Sequence, residues 1–164
     1  MEYEMIVPSP LGPLTLRAGE HGLTALVLER QKHRERHLSS PAVRCRPGEE
    51  PEVLTRAKGW LVDYFAGKAP DPSDLPLDPH GTDFQRRVWQ ELLTIPSGGT
   101  RTYGELAKQL HSSPRAVGVA VGRNPISILI PCHRIVGSGE KLTGYAGGLE
   151  AKRFLLELED GETE

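Results

Sequence analysis

The sequence predicts two unlike halves. Residues 1–78 read as an α/β domain ending in a proline-rich connector, and residues 79–164 as a mainly α domain with a helix-turn-helix-like motif. Three observations predict this. Short apolar clusters broken by Gly/Pro turns fill the first 28 residues. Four prolines fall between Pro70 and Pro79, which makes an extended connector. Beyond it, Thr82-x-x-Gln85 and Thr102-x-x-Glu105 have the spacing of capping boxes, which open helices.

In order along the chain, residues 2–7, 13–18 and 22–28 are expected to be strands, separated by turns around Gly12 and Gly19. Residues 30–37 are highly charged. His33 and His37 are four apart, a metal-chelating spacing on a helix, but no further ligand is suitably placed and a solvated face is the better reading. Residues 39–51 read as loop. Residues 52–66 repeat apolar side chains at helical spacing (Val53, Leu54, Ala57, Leu61, Tyr64, Phe65), and Gly67 can end that helix.

In the second half, Phe84, Val88, Leu92 and Ile95 form the apolar side of a helix that stops at Pro96. A second helix runs from Tyr103 to Leu110, and a third from Pro114 to about Gly122. The third contains Gly118 and Gly122, each costing about 1 kcal/mol against alanine. Small side chains there serve either tight packing on the first helix or close approach to a nucleic-acid backbone, with Arg115 and Arg123 at the ends. Asn124 can cap this helix. The apolar run 128–136 reads as a buried strand halted at Pro131, with Cys132 at its mouth. His133 and Arg134 are expected to lower the thiol pKa there, although a core cysteine fits the same pattern. A last helix carries Ala151, Phe154, Leu155 and Leu158, then Glu159, and residues 160–164 are expected to fray.

Charge adds a functional hint. Net charge is −2, yet residues 82–134 hold seven basic against three acidic side chains. A polyanion senses such a local face rather than the total. No apolar run approaches the ~18 residues of a membrane span, and the N-terminus lacks the basic residues of a signal peptide. A cytoplasmic protein with two free cysteines, Cys45 and Cys132, is expected.

Six stretches occur in order: Gly81-Thr82-Asp83-Phe84-Gln85, Thr102-Tyr103-Gly104-Glu105-Leu106-Ala107, Arg115-Ala116-Val117-Gly118, Gly122-Arg123-Asn124-Pro125, Ile130-Pro131-Cys132-His133-Arg134 and Thr143-Gly144-Tyr145-Ala146-Gly147-Gly148. Together they resemble the O6-alkylguanine-DNA alkyltransferases, densely over residues 81–159 and loosely before that. The resemblance implies an RNase H-like N-terminal α/β domain and a winged helix-turn-helix-like C-terminal domain. It also implies DNA repair by transfer of a methyl or small alkyl group from O6-alkylguanine, with O4-alkylthymine as a second candidate, to the protein's own cysteine. The transfer would be irreversible, in a single turnover, on a base flipped from double-stranded DNA gripped at its minor groove.

The resemblance assigns roles as well. Cys132 is the acceptor, and His133 the base acting through a water. Glu159 orients the imidazole, Asn124 braces the turn, and Tyr103 bonds the guanine ring and delivers a proton. Arg115 fills the vacated stack, with Thr102, Ala116, Gly118 and Arg123 as further DNA contacts. Ile135, Tyr145, Ala146, Gly147 and Lys152 form the substrate pocket. Ala146 stands where relatives often carry a small hydroxylic residue, so only a backbone contact would survive there. No cofactor is implied, and with a single cysteine in the first half no zinc is expected. The protein is expected to be a monomer, able to cluster on DNA. The competing readings are a non-catalytic lesion sensor or helix-turn-helix regulator, and a cysteine hydrolase.

Overall fold

The three expected strands form, and the way their sheet is edged positions the rest of the chain. In the computed structural model, which describes residues 1–161, β1 (Glu2–Val7), β2 (Leu14–Gly19) and β3 (Gly22–Leu28) make an antiparallel meander. A short β4 (Ala42–Arg44), inside the stretch expected to be loop, pairs parallel with β1 and completes the sheet order β3-β2-β1-β4. Its strand signal is weak because it has three residues and its partner is about forty positions away. The charged stretch folds as a one-turn helix, α1 (Arg34–His37), with no buried residue.

β3 is buried along its whole length. Its outer edge would expose unpaired backbone groups, the usual hazard of an edge strand. Two segments cover it. The Leu23 N–H donates to Pro76 O and the Asp78 N–H to Leu23 O, which docks the proline-rich connector. The Leu26 N–H donates to Pro125 O and the Ser127 N–H to Leu26 O, which docks the segment leading to Cys132.

α2 (Glu52–Phe65) buries Leu54, Ala57, Leu61 and Tyr64, as its periodicity predicts, and the chain leaves it through Gly67 at φ +82°. Both capping boxes form. Thr82 and Gln85 open α3 (Asp83–Leu92), and Thr102 and Glu105 open α4 (Tyr103–Gln109). Ser113 caps α5 (Pro114–Gly122), which packs on α4 as a helix-turn-helix pair. The Trp89 indole donates to Ala120 O at 2.9 Å, which ties α3 to α5. β5 (Arg101–Thr102) and β6 (Ile135–Val136) form a two-stranded parallel ladder not legible in the sequence. α6 (Leu149–Glu159) closes the described chain; the expected fraying of 160–164 falls largely on residues 162–164, outside the described residues.

The expected strand at 128–136 does not form as such. Residues 127–129 are hydrogen-bonded turns, Ile128 has φ +70°, and Cys132–Arg134 is one turn of 3-10 helix before β6. The run is as buried as predicted, but before β6 its backbone is paired by turn hydrogen bonds and by the Asn124 amide on Ile130 O rather than by a ladder.

The docking of the connector depends on Gly22. A Cβ there would lie 2.5 Å from Pro76 O, and its φ is +141°. Gly22→Ala is expected to destabilise the fold by roughly 2 kcal/mol or more, from clash and backbone strain together, measured as a lower urea midpoint. An unchanged midpoint would mean that the connector does not need this contact.

Candidate active site at Cys132

Cys132 begins its 3-10 turn because Pro131 ends the preceding bend, and Asn124 holds that bend from inside. The Asn124 amide donates to Ile130 O at 2.8 Å and its oxygen accepts the Ile126 N–H at 3.0 Å. This clasp replaces the helix-capping role expected of Asn124. Cys132 is only 5% exposed, yet it borders a cavity of about 330 Å³. That volume is at the small end of the ~300–1,000 Å³ range for ligand pockets.

The cavity gathers residues from distant parts of the chain. Tyr103 of α4, Gly118 and Gly122 of α5, Asn124, Tyr145 and Ala146 all line it. A Cβ on Gly118 would meet only the Tyr103 ring at 3.8 Å, and one on Gly122 would meet nothing within 4 Å. Neither glycine is needed for packing on α3, and both leave the cavity side of α5 open. Gly147 is needed for packing, since a Cβ there would lie 2.7 Å from the Tyr145 ring and 2.9 Å from Leu28. The sequence reading missed Lys32 and His33, which line the same cavity. The Lys32 N–H donates to Ala146 O at 2.8 Å, so that carbonyl is already engaged. Part of the stretch expected to be a solvated face is therefore a wall of the pocket.

Behind Cys132, His133 is fully buried and its Nε2 lies 2.6 Å from Glu159 Oε2. Arg134 donates to the same carboxylate through Nε at 2.8 Å and NH2 at 3.0 Å, and through NH1 to Ile95 O at 2.5 Å. Tyr64 of α2 donates its hydroxyl to Glu159 Oε2 at 2.6 Å. Burial alone would raise the Glu159 pKa, but the hydrogen bonds and charges of His133 and Arg134 outweigh it and bring the pKa down to about 2. An ionised carboxylate only accepts, so His133 Nε2 carries a hydrogen. In neutral His133 the lone pair is then on Nδ1, which is buried and has no partner among the described residues.

The expected activation of the thiol by His133 and Arg134 is not what the site shows. Burial pushes the Cys132 thiol up to about 11, against smaller opposing effects of the Asn124 hydrogen bond and the Lys152 charge. Burial also lowers the His133 pKa, only partly opposed by Glu159. Arg134 is committed to Glu159, and the resting pair is thiol and neutral imidazole. Lys152 is fully buried and holds Ile135 O at 2.5 Å and Thr143 O at 3.1 Å, which joins β6 to the Tyr145 loop. Ile135 is itself buried in that ladder. Arg115 and Arg123 are exposed at the two ends of α5, with Ala116 half-buried beside the first, while the Thr102 hydroxyl is engaged in its cap.

Residues 2–79 match the family model for the 6-O-methylguanine DNA methyltransferase ribonuclease-like domain, and residues 83–161 that for the 6-O-methylguanine DNA methyltransferase DNA binding domain. The chain belongs to the 6-O-methylguanine DNA methyltransferase family. Its α/β half is therefore the ribonuclease-like domain and its helical half the DNA-binding domain, as the resemblance implied. A methylated-DNA–protein-cysteine methyltransferase from Mycobacterium tuberculosis is 47% identical over 162 residues, 97% of this chain and 93% of the relative. One from Methanosarcina barkeri is 46% identical over 160 residues, 96% of this chain and 97% of the relative. The solved structure of M. tuberculosis OGT in complex with DNA superposes with a TM-score of 0.84 at 45% identity, covering 98% of this chain and 94% of that one.

Two measurements test the site's electrostatics. With a thiol pKa of about 11, about one molecule in a thousand carries the Cys132 thiolate at about pH 8. Iodoacetamide should therefore label Cys132 slowly in the free native protein and rapidly once urea exposes it; fast native labelling would mean an activated resting thiolate. The lowered Glu159 pKa adds stability that is present above the ordinary carboxylate value of 4.5 and is lost as pH falls toward about 2. Urea midpoints measured from neutral pH downward should drop through that window, and less steeply in Glu159→Gln.

Proposed function

We propose that this protein repairs alkylated DNA by moving a methyl or small alkyl group from guanine O6 to Cys132, keeping it as a thioether. The observation that carries this is the combination behind one cavity: a thiol on its wall, and an imidazole whose buried Nδ1 lacks a partner among the described residues while Nε2 is fixed by a carboxylate. That arrangement suits a base acting through a bridging water.

The proton of Cys132 would pass to His133 Nδ1, and Glu159 would stabilise the imidazolium. The thiolate attacks the alkyl carbon, the carbon–oxygen bond breaks, and its electron pair returns to the guanine ring. Tyr103, which also lines the cavity, would give its phenol proton to a ring nitrogen of the leaving base and regain one as the His133 imidazolium loses its proton through water, so that the Cys132 proton ends on guanine. A thioether has no leaving group that this site could expel, so each molecule reacts once and no cofactor is required. Backbone groups at Cys132, Ile135 and Ala146 would read the base edges, with Tyr145 and Gly147 shaping the pocket and Lys152 bracing it.

A base stacked in a duplex is out of reach of a buried thiol, so it has to rotate out, at a cost of a few kcal/mol. The exposed side of α5, with Arg115, Val119 and Gly122 at i, i+4, i+7 spacing, is the face offered to the minor groove. Arg115 would fill the gap in the stack, and Ala116, Gly118, Arg123 and the Thr102 backbone would flank the strand. O4-alkylthymine is a second candidate base. Among the described residues no helix is long and apolar enough to cross a membrane. A cytoplasmic monomer acting on DNA, alone or clustered, fits this reading.

Intact-protein mass spectrometry after mixing with a duplex containing O6-methylguanine should show one gain of ~14 Da, confined to Cys132 and absent in Cys132→Ala. A DNA complex without any adduct would favour the non-catalytic lesion sensor, and turnover without an adduct a hydrolase. Arg115→Ala should slow transfer from duplex DNA by roughly tenfold or more, while leaving transfer from the free alkylated base almost unchanged.

A further inference from the structure

Tyr64 belongs to the ribonuclease-like half, 95 residues from Glu159, yet its hydroxyl reaches the carboxylate oxygen that also holds His133. We infer that Tyr64 is a positioning residue for alkyl transfer, a hydrogen-bond donor that limits how strongly Glu159 draws a proton onto His133. This inference deepens the proposed reaction and rests on it for its consequence, but not for its physical basis.

The basis is competition for one carboxylate. Glu159 Oε2 accepts from His133 Nε2 at 2.6 Å, Tyr64 Oη at 2.6 Å and Arg134 NH2 at 3.0 Å, while Oε1 accepts from Arg134 Nε at 2.8 Å. Each donor that shares the negative charge leaves less of it for the imidazolium. Tyr64 cannot replace His133 as the proton carrier, because burial and the Glu159 charge push its own pKa far above the ordinary value. It therefore remains a donor throughout the working range.

Its place is fixed by packing. The Tyr64 ring is 3% exposed, stacks on Trp60 at 5.2 Å and meets Phe65 edge-on at 5.2 Å. A tyrosine placed only to fill the core could be replaced by phenylalanine with little loss. Here the hydroxyl ends on the charge behind the proposed base. The groups facing His133 are Glu159 and Lys152 from α6, Arg134 from its own turn, Tyr145 with its ring 6.4 Å away, and Tyr64 from α2 by way of Glu159. Lys152 and Arg134 disfavour the imidazolium, and Glu159 favours it. Tyr64 is uncharged, so it adjusts this balance without adding a buried ion.

Its chemical consequence is in the first step, the movement of the Cys132 proton to His133 Nδ1. A His133 that is too basic would already be protonated at rest and could not accept it; one that is too weak would not take it. Removing the hydroxyl strengthens the hold of Glu159 on the imidazolium. The His133 pKa should then rise, and the acidic limb of the rate profile should move to higher pH.

The test uses Tyr64→Phe in the full chain. Nitrogen-15 NMR of the His133 ring, which needs no DNA substrate, should show its titration moved to higher pH. Single-turnover alkyl transfer from duplex DNA should fall about threefold or more at about pH 6 and stay within about twofold at about pH 8.5. Trp60→Phe keeps the hydroxyl and controls for packing; it should leave both profiles in place. An unmoved His133 titration in Tyr64→Phe overturns the inference, as does an equal shift in Trp60→Phe. If wild-type protein forms no Cys132 adduct, the proposed reaction fails, and the NMR titration still decides whether Tyr64 tunes His133.

Discussion

Glu159 carries a negative charge almost out of contact with water, its side chain only 2% exposed, and a charge placed there is tolerated only if donors surround it. The donors come from two directions, His133 and Arg134 in the 3-10 turn that begins at Cys132 and Tyr64 in α2 of the ribonuclease-like half, while α6 carries the carboxylate itself. None of these elements can shift without leaving a buried charge short of partners, at several kcal/mol. The requirement therefore locks together the turn that presents the thiol, the helix that closes the described chain, and a helix from the other half. It also settles the His133 tautomer, because a carboxylate held near pKa 2 cannot donate.

A second constraint acts on the opposite side of the thiol. Residues 126–130 have no sheet of their own, yet their backbone is buried and must be paired. Asn124 supplies a donor and an acceptor from within, the edge of β3 accepts the Ser127 N–H through Leu26 O, and turn hydrogen bonds pair the Leu129 and Ile130 N–H groups with Ser127 O and Ile126 O. Buried Gln31 continues the join, accepting from the Leu28 N–H at 3.2 Å and the Ser127 hydroxyl at 3.0 Å. The two family models divide the chain near residue 80, but the cavity belongs to both halves: Lys32 and His33 enter it from one, Tyr103 and Cys132 from the other.

What the sequence disclosed and what it hid follow the range of the interactions involved. The α3 and α4 starts were legible because a capping box is complete within four residues. β1 to β3 were legible because each alternation is local and the turns between them are short. β4, β5 and β6 were not, since each has two or three residues and exists only through a distant parallel partner. The run after Asn124 has the sequence of a strand because apolar, β-branched content reports burial and not which partner satisfies the backbone; the Asn124 clasp has no periodic signature. The thiol was misjudged for a related reason. Arg134 is two residues from Cys132 in sequence, but its guanidinium is spent on Glu159. Tyr64 stayed hidden in the apolar stripe of α2, where its ring belongs and its hydroxyl gives no sequence signal.

The neutral resting pair has a physical logic if, as proposed, Cys132 is an acceptor that reacts once. Charge separation between Cys132 and His133 inside a low-dielectric wall costs more than it would in water, so at rest the proton stays on sulfur. A thiol in that state is a poor nucleophile toward passing electrophiles, each of which would consume a molecule. In the proposed transfer, Glu159 would stabilise the imidazolium from where it already stands, so no reorganisation would accompany the proton. What remains to be supplied is a reason for the proton to leave sulfur, and in the proposed reaction a bound alkylated base would provide one, by presenting a carbon whose attack consumes the thiolate as it forms. On the proposed mechanism, the high thiol pKa would be a safeguard at rest, overcome only as the alkyl carbon is attacked.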